Sequence, residues 1–354
     1  MNPAMCAPIH NGSMTLRLKV NLEELGASSS AALEEAAAIL RRGGTVAIPT
    51  ETVYGLGANA FDAAAVAKIF AAKERPSWDP LIVHVADEAM LRQVVSEVSA
   101  SARRFMDAYW PGPLTLLLPR LAAIPDAVTA GRPLVGVRMP AHPVARALIR
   151  LAGVPVAAPS ANRFGHTSPT TAEHVLEDLD GRIDAVVDGG QAEYGLESTV
   201  LDPNCVPITI YRPGAVTLEQ IAALAGETMY FKELDVAVEE PREALPSPGV
   251  GLRHYAPRAR LILFHPPEAA PVPEETAVGL MRAEGVAGIA DGKSYAAVYP
   301  WGRWSHPEEL AQRLFAGLRY LDGMDCRVIV CPVPQGKGIA EAIRDRLRKA
   351  AWRE

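Results

Sequence analysis

The chain has 354 residues, 49% hydrophobic and 21% charged, which gives it core material for two domains and excludes wholesale disorder. Its 35 basic and 41 acidic residues leave a net charge of −6, so no global basic field exists to hold nucleic acid, and any phosphate contact has to come from a local cluster. Thirty prolines, against the roughly 18 that an average composition supplies, mark many fixed turns.

Residues 1–14 read as a tail without the unbroken apolar stretch of a signal peptide, and no run approaches the roughly 18 apolar residues of a membrane helix. The expectation is a cytoplasmic protein with no membrane partner. An α/β pattern occupies 15–225. After residue 28, Ser30 as cap, Glu34 and Glu35 in the first turn, and Leu33, Ala37 and Leu40 on one face predict a helix. Arg41 and Arg42 before Gly43 and Gly44 suit its C-terminus. A β-rich run, TVAIPTETVYGLG (45–57), precedes a helix from about Asp62 to Lys73. Strands are predicted at 81–86, 114–119, 134–139, 155–160, 185–190, 198–202 and 208–214, with helices at 142–151 and 171–179 between them. This alternation predicts a sheet covered by helices.

From 226 to 258 the periodicity lapses into a charged, proline-punctuated stretch that reads as a linker. Alternation resumes over 259–354, with strands at 259–265, 277–281, 295–302 and 327–334 and amphipathic helices at 306–322 and 338–352. A second, smaller α/β domain is expected there. Cys6, Cys205, Cys326 and Cys331 lack the spacing of a zinc site or a CxxC redox pair, so no metal centre and no disulfide framework is expected.

Two nucleotide-loop patterns fail. Gly292-Lys293-Ser294 ends like a Walker A loop, but Ala287 stands where the first glycine belongs. Gly55-Leu56-Gly57 begins a loose G-x-G-x-x-A string, yet Pro49 and a polar TET interrupt the strand that should feed it. Cations and small hydroxyls instead recur at strand ends: Lys73 and Arg75, Arg138, Ser160 and Asn162, Ser168, Ser198 and Arg212. Arginine forks and serine or asparagine donors suit carboxylate and phosphate oxygens, and α/β folds assemble ligand sites at strand ends. The residues alone thus predict a site for an anionic small molecule of nucleotide type.

The strings PTETVYGLG (49–57), KERPSWDPLIVHV (73–85), PGPLTLLL (111–118), VGVRMP (135–140), APSAN (158–162), SPT (168–170), ESTVLD (197–202) and RPG (212–214) resemble the L-threonylcarbamoyladenylate synthase family in order and spacing. SPGVGLRHYAP (247–257) and GKGIAEAIRDRLRKAA (336–351) resemble its two-domain form, with Val250 and Leu252 departing from the commoner linker residues. The resemblance implies a YrdC-like twisted mixed sheet with a central basic cleft, a linker over that cleft, and a smaller Rossmann-like α/β domain. It implies ATP-dependent conversion of L-threonine and bicarbonate to threonylcarbamoyl-AMP and pyrophosphate, with Mg2+ accompanying ATP. The product would pass to a tRNA threonylcarbamoyl transferase, which makes N6-threonylcarbamoyladenosine in tRNAs reading ANN codons.

Carried over position by position, the resemblance implies a threonine site of Thr52, His84, Arg138, Ala158 and Ser198. ATP contacts would come from Arg75, Asp79, Leu134, Ser160, Ser168, Arg212 and Tyr255, Leu134 acting through its backbone. Lys73, Arg75, Ser160 and Asn162 complete the K-x-R and S-x-N pairs assigned to catalysis. Two rival readings are a carbamoyl-adenylate-forming enzyme like the hydrogenase-maturation carbamoyltransferases and a module binding double-stranded RNA. The lack of acylphosphatase and zinc-finger segments opposes the first; the acidic net charge leaves at most weak RNA binding for the second.

Overall fold

The computed structural model describes residues 14–21, 31–231, 245, 247, 250, 254–271, 277–289 and 295–352. The expected Ser30 cap, the Gly292-Lys293-Ser294 loop, Leu252 and much of the 226–258 linker lie outside the described residues. Eleven strands form one mixed sheet: β1 (Leu16–Lys19), β2 (Val46–Ile48), β3 (Gly55–Asn59), β4 (Ile82–His84), β5 (Leu114–Pro119), β6 (Leu134–Arg138), β7 (Val156–Ala157), β8 (Ala185–Asp188), β9 (Thr199–Asp202), β10 (Ile208–Arg212) and β11 (Thr228–Tyr230). Their order is β1-β8-β2-β3-β7-β4-β6-β5-β9-β10-β11. β12 (Arg260–Phe264), β13 (Val278–Glu284), β14 (Ala297–Arg303) and β15 (Val328–Pro332) form a second sheet ordered β12-β15-β13-β14, parallel throughout. The mixed YrdC-like sheet and the smaller α/β domain are thus both present.

Strands β2 and β4 of the large sheet and β15 of the small one are buried along their whole length, as apolar runs between covering layers should be. The run 45–57 is two strands rather than one. Pro49 cannot extend the ladder, so the chain leaves the sheet at Ile48 and re-enters antiparallel at Gly55. The paired glycines of the G-x-G string lie inside β3, where a Cβ on Gly57 would come within 2.7 Å of the Val156 side chain. Gly57 thus answers to strand packing. β7 is shorter than the run predicted at 155–160, and the sheet continues past residue 225 through β11, which pairs parallel with β10.

The first strand and four helices were not legible in the periodicity: β1, which pairs with β8, and the helices Glu88–Leu91, Ala100–Tyr109, Asp126–Thr129 and Leu218–Ala225. Ala100–Tyr109 and Leu218–Ala225 are announced by their caps. Ser99 accepts from the Ala102 amide, and Thr217 with Gln220 forms a reciprocal capping box. No helix among the described residues is long and apolar enough to cross a membrane. Cys205, Cys326 and Cys331 are free thiols.

The two domains meet along the helix Pro307–Gly323. Its Arg319 pairs with Asp178 at 2.7 Å and Glu177 at 3.1 Å, and its Phe315 stacks on Tyr255 with centroids 5.6 Å apart. Gly195, at φ +68°, lets the loop before β9 lie directly on this helix, because a Cβ there would sit 2.4 Å from the Gln312 carbonyl oxygen. Gly195→Ala is therefore expected to destabilise the protein by about 2–4 kcal/mol, combining left-handed strain with overpacking. Gly153→Ala, at a left-handed helix cap but facing open space, should lose only about 1 kcal/mol. Thermal melts compare the pair, and equal losses would show that the domain contact yields freely.

Candidate active site

The sheet brings the ends of several strands to one edge. β4 and β6 run parallel with His84 opposite Arg138, so both side chains emerge together. β5 runs antiparallel to β6, which puts its entry turn, with Gly112, beside Arg138. β9 begins just after Ser198, and β10 returns antiparallel to it and ends on Arg212. Between β2 and β3 the excursion from Pro49 to Tyr54 is tied by Thr50, whose hydroxyl donates to the Val53 carbonyl at 2.6 Å. These elements enclose a cleft with about 550 Å³ of empty space, its mouth included.

Nine of the residues singled out by sequence line that cleft. Thr52, His84, Arg138, Ala158 and Ser198 lie in its wall, together with Arg75, Ser160, Arg212 and Tyr255. Five do not reach it. Lys73 is buried behind the loop that carries Ser160, and its Nζ donates to the carbonyls of Ser160 (2.6 Å) and Asn162. Asn162 turns its amide toward the Arg163 and His166 carbonyls, at 2.7 and 2.8 Å. Lys73 and Asn162 thus hold the loop that carries Ser160. Asp79 is spent on Arg75, 2.9 Å away, and Ser168 donates to Glu197. Leu134 begins β6, at the end opposite Arg138, and packs with Ile82, Leu117 and Val200.

Glu197 and His254 line the cleft without having been singled out. Glu197 had a signal, a carboxylate beside the hydroxyls of ESTVLD. Arg346 of the second domain had a clearer one. In the helix Ile339–Ala351 it falls in the buried stripe of Ile339, Ile343, Leu347 and Ala350, and a cation on such a stripe needs a partner across an interface.

Electrostatically the cleft is a set of clamped arginines. Arg138 donates Nε to the Gly112 carbonyl (3.1 Å) and Nη1 to Thr52 Oγ1 (2.8 Å), while Nη2 meets Glu51 at 2.6 Å. Burial pushes the Glu51 carboxyl upward, but Arg138 and the Ala141 amide outweigh it and hold the group below its ordinary range. Arg75 donates to the Asp79 and Pro80 carbonyls and lies 6.0 Å from the Phe164 ring centroid. Arg212 donates to the Ser198 carbonyl and hydroxyl, both at 3.0 Å, and that hydroxyl also shares a hydrogen bond with Thr115.

The two histidines of the wall are neutral. Burial, with Arg138 adding to it, lowers His84 to about 3. Burial, with Arg75 adding, drives His254 well below its usual value. Neither Nδ1, though buried, has a hydrogen-bond partner among the described residues. Burial, with Arg75 adding, likewise drives Lys73 far down, which suits a group serving as a donor to carbonyls.

A free histidine titrates near 6.5, so between about 6.5 and 3 the unfolded chain binds a proton that folded His84 refuses. Stability therefore falls as pH falls through that window. His84→Asn is expected to flatten the decline of Tm between pH 7 and 5. An unchanged slope would show that folded His84 accepts the proton.

A family model described as "Telomere recombination" matches residues 38–214, and one described as "Threonylcarbamoyl-AMP synthase, C-terminal domain" matches 216–352. The threonylcarbamoyl-AMP synthase of Bacillus subtilis is 42% identical over 348 residues, covering 95% of this chain and 98% of that protein. The synthase of Pyrococcus abyssi is 41% identical over 323 residues, covering 89% and 93%. The crystal structure of P. abyssi Sua5 complexed with L-threonine superposes with a TM-score of 0.82 at 36% identity, covering 96% of this chain and 98% of that one. Sequence, fold and the clamped arginine cleft agree: the chain belongs to the threonylcarbamoyl-AMP synthase family, in its two-domain form.

Proposed function

We propose that this protein makes L-threonylcarbamoyl-AMP from L-threonine, bicarbonate or CO2, and ATP, releasing pyrophosphate, and that it does so in the cytoplasm. The observation that carries the reading is the convergence of Arg75, Arg138 and Arg212 on one cleft with Ser160, Ser198 and neutral His84. Three guanidinium groups suit an amino-acid carboxylate together with a triphosphate.

The amino-acid half lies at Arg138. Its guanidinium is fixed on three sides, so a carboxylate meets a cation that has already lost its rotational freedom. His84 is too weakly basic to take a proton from an ammonium group, and serves as a hydrogen-bonding nitrogen beside the substrate amine. That amine, in neutral form, attacks the carbon of CO2, one C–O π bond opens onto oxygen, and an N–H proton is lost to solvent, which leaves an N-carboxylate. The new carboxylate oxygen then attacks the α-phosphorus, and the bond to pyrophosphate breaks. Arg75 and Arg212 face the nucleotide half, where they offset repulsion between the two anions and stabilise charge on the phosphates. Ser160 and Ser198 add hydroxyl donors along the same wall.

ATP enters as its magnesium complex. Glu197 is the carboxylate in the wall, and both its oxygens are engaged by Ser168 and Arg346. No group of three or more metal-ligating side chains occurs among the described residues. That donor set fits a magnesium ion held by phosphate oxygens and water rather than by a protein cage. The product is a mixed anhydride, and a transferase that modifies tRNA would consume it.

Incubation with ATP, Mg2+, labelled bicarbonate and single amino acids tests the reading. Pyrophosphate release is expected with L-threonine, and release that ignores the amino acid would overturn it. Arg138→Lys keeps the charge but loses the fork, and should raise the KM for threonine about tenfold or more with a smaller effect on that for ATP.

A further inference from the structure

Glu197 is buried in the cleft wall, and its carboxylate is approached from two sides. Oε1 accepts from the Ser168 hydroxyl, and Oε2 accepts from Arg346 Nε at 2.7 Å. Arg346 comes from the second domain, and its side chain is completely buried. Its remaining nitrogens are also committed. Nη2 donates to the Pro213 carbonyl at 3.0 Å, next to Arg212, and Nη1 meets Asp345 at 2.6 Å. Lys349 lies 3.0 Å from the other Asp345 oxygen, so a chain of alternating charge runs from the cleft into the second domain. The Arg346 guanidinium also lies 5.0 Å from the ring centroid of Tyr255. Tyr255 has φ +65°, a conformation that an aromatic residue keeps only where its surroundings over-determine it.

We propose that Arg346 is a positioning residue of the active site, a cation that the second domain supplies to hold Glu197 off Arg212 and to fix the Tyr255 ring, keeping Arg212 aimed into the nucleotide half of the cleft while the Ser198 hydroxyl stays tied to Thr115. The inference rests on the assignment of that half to ATP. Its physical basis is the cost of an unpaired buried charge. Glu197 attracts both Arg346 and Arg212. With Arg346 removed, Arg212 is the remaining cation near the carboxylate, and its pull competes with the two bonds Arg212 makes to Ser198. The neutral Tyr255 ring also loses the cation beside it. Arg138 and His84, across the cleft, have no bond to this chain of charges.

The test uses the full-length protein as wild type, Arg346→Gln, Arg346→Lys and Arg346→Gln combined with Glu197→Gln. Calorimetry is performed with a nonhydrolysable ATP analogue plus Mg2+, and separately with L-threonine. Arg346→Gln should bind the analogue about tenfold more weakly while threonine affinity stays within about twofold. The double variant, with both charges gone, should recover most of the loss. Arg346→Lys should recover little, because one ammonium does not bridge Glu197 and the Pro213 carbonyl together. Wild-type analogue affinity in Arg346→Gln would overturn the proposal, as would equal losses for both ligands or a double variant no better than the single. Should Arg346→Gln not fold, the lysine and double variants carry the same comparison. A wild-type protein that binds the analogue but releases no pyrophosphate with threonine would sink the functional reading, while the nucleotide comparison would still decide the role of Arg346.

Discussion

Placing three guanidinium groups around one water-poor cavity is favourable only if each is held by groups that do not consume its charge altogether. The cleft meets this constraint in three ways. Arg138 is braced by a carboxylate, a hydroxyl and a carbonyl; Arg75 by a carboxylate and two carbonyls; Arg212 by a serine. Much of the surrounding architecture serves these braces. The excursion between β2 and β3 presents Glu51 and Thr52, the turn into β5 presents the Gly112 carbonyl, and the left-handed cap at Glu74 separates Arg75, which faces the cleft, from Lys73, which is buried behind the Ser160 loop. Removing one partner of such a buried pair is expected to be worth about 3–5 kcal/mol, far more than an exposed ion pair contributes.

The same dryness that strengthens the arginines strips the histidines of charge. His84 and His254 sit among cations with unpartnered ring nitrogens, and they add directional hydrogen bonding without adding to the positive field. A cleft built this way orients its reactants and excludes water. It does not require a side chain to shuttle protons at neutral pH, which matches a reaction whose difficulty lies in bringing two anions together around an unstable N-carboxy group.

Strand ends and their charged residues were legible because proline, glycine and arginine punctuate apolar runs, and each such position reports on local backbone. The motif strings then supplied the family and most of the wall. What escaped was non-local. Nothing near Lys73 says that its Nζ will donate to two carbonyls 87 and 89 residues later, since that depends on how the helix Ala63–Lys73 docks against the turn after β7. Leu134 lies at the other end of β6 from Arg138 and packs on Ile82, a residue of the cleft wall. β1 was missed because four residues give too few alternations to separate a strand from a tail. Arg346 was legible in principle, as a charge on an apolar stripe, but its partner could be named only once the two domains were seen together.

That contact sets an order of events during synthesis. Every residue of the cleft wall precedes Arg346 in the chain, the latest being Tyr255. The large sheet therefore emerges from the ribosome and collapses while Glu197 still lacks the cation that matches it. Until the helix Ile339–Ala351 arrives and docks, Glu197 of the nascent site lacks its bond to Arg346. The Glu197 side of the cleft is thus completed only when that helix docks, and a ribosome-bound fragment lacking it should already possess the braces around Arg138.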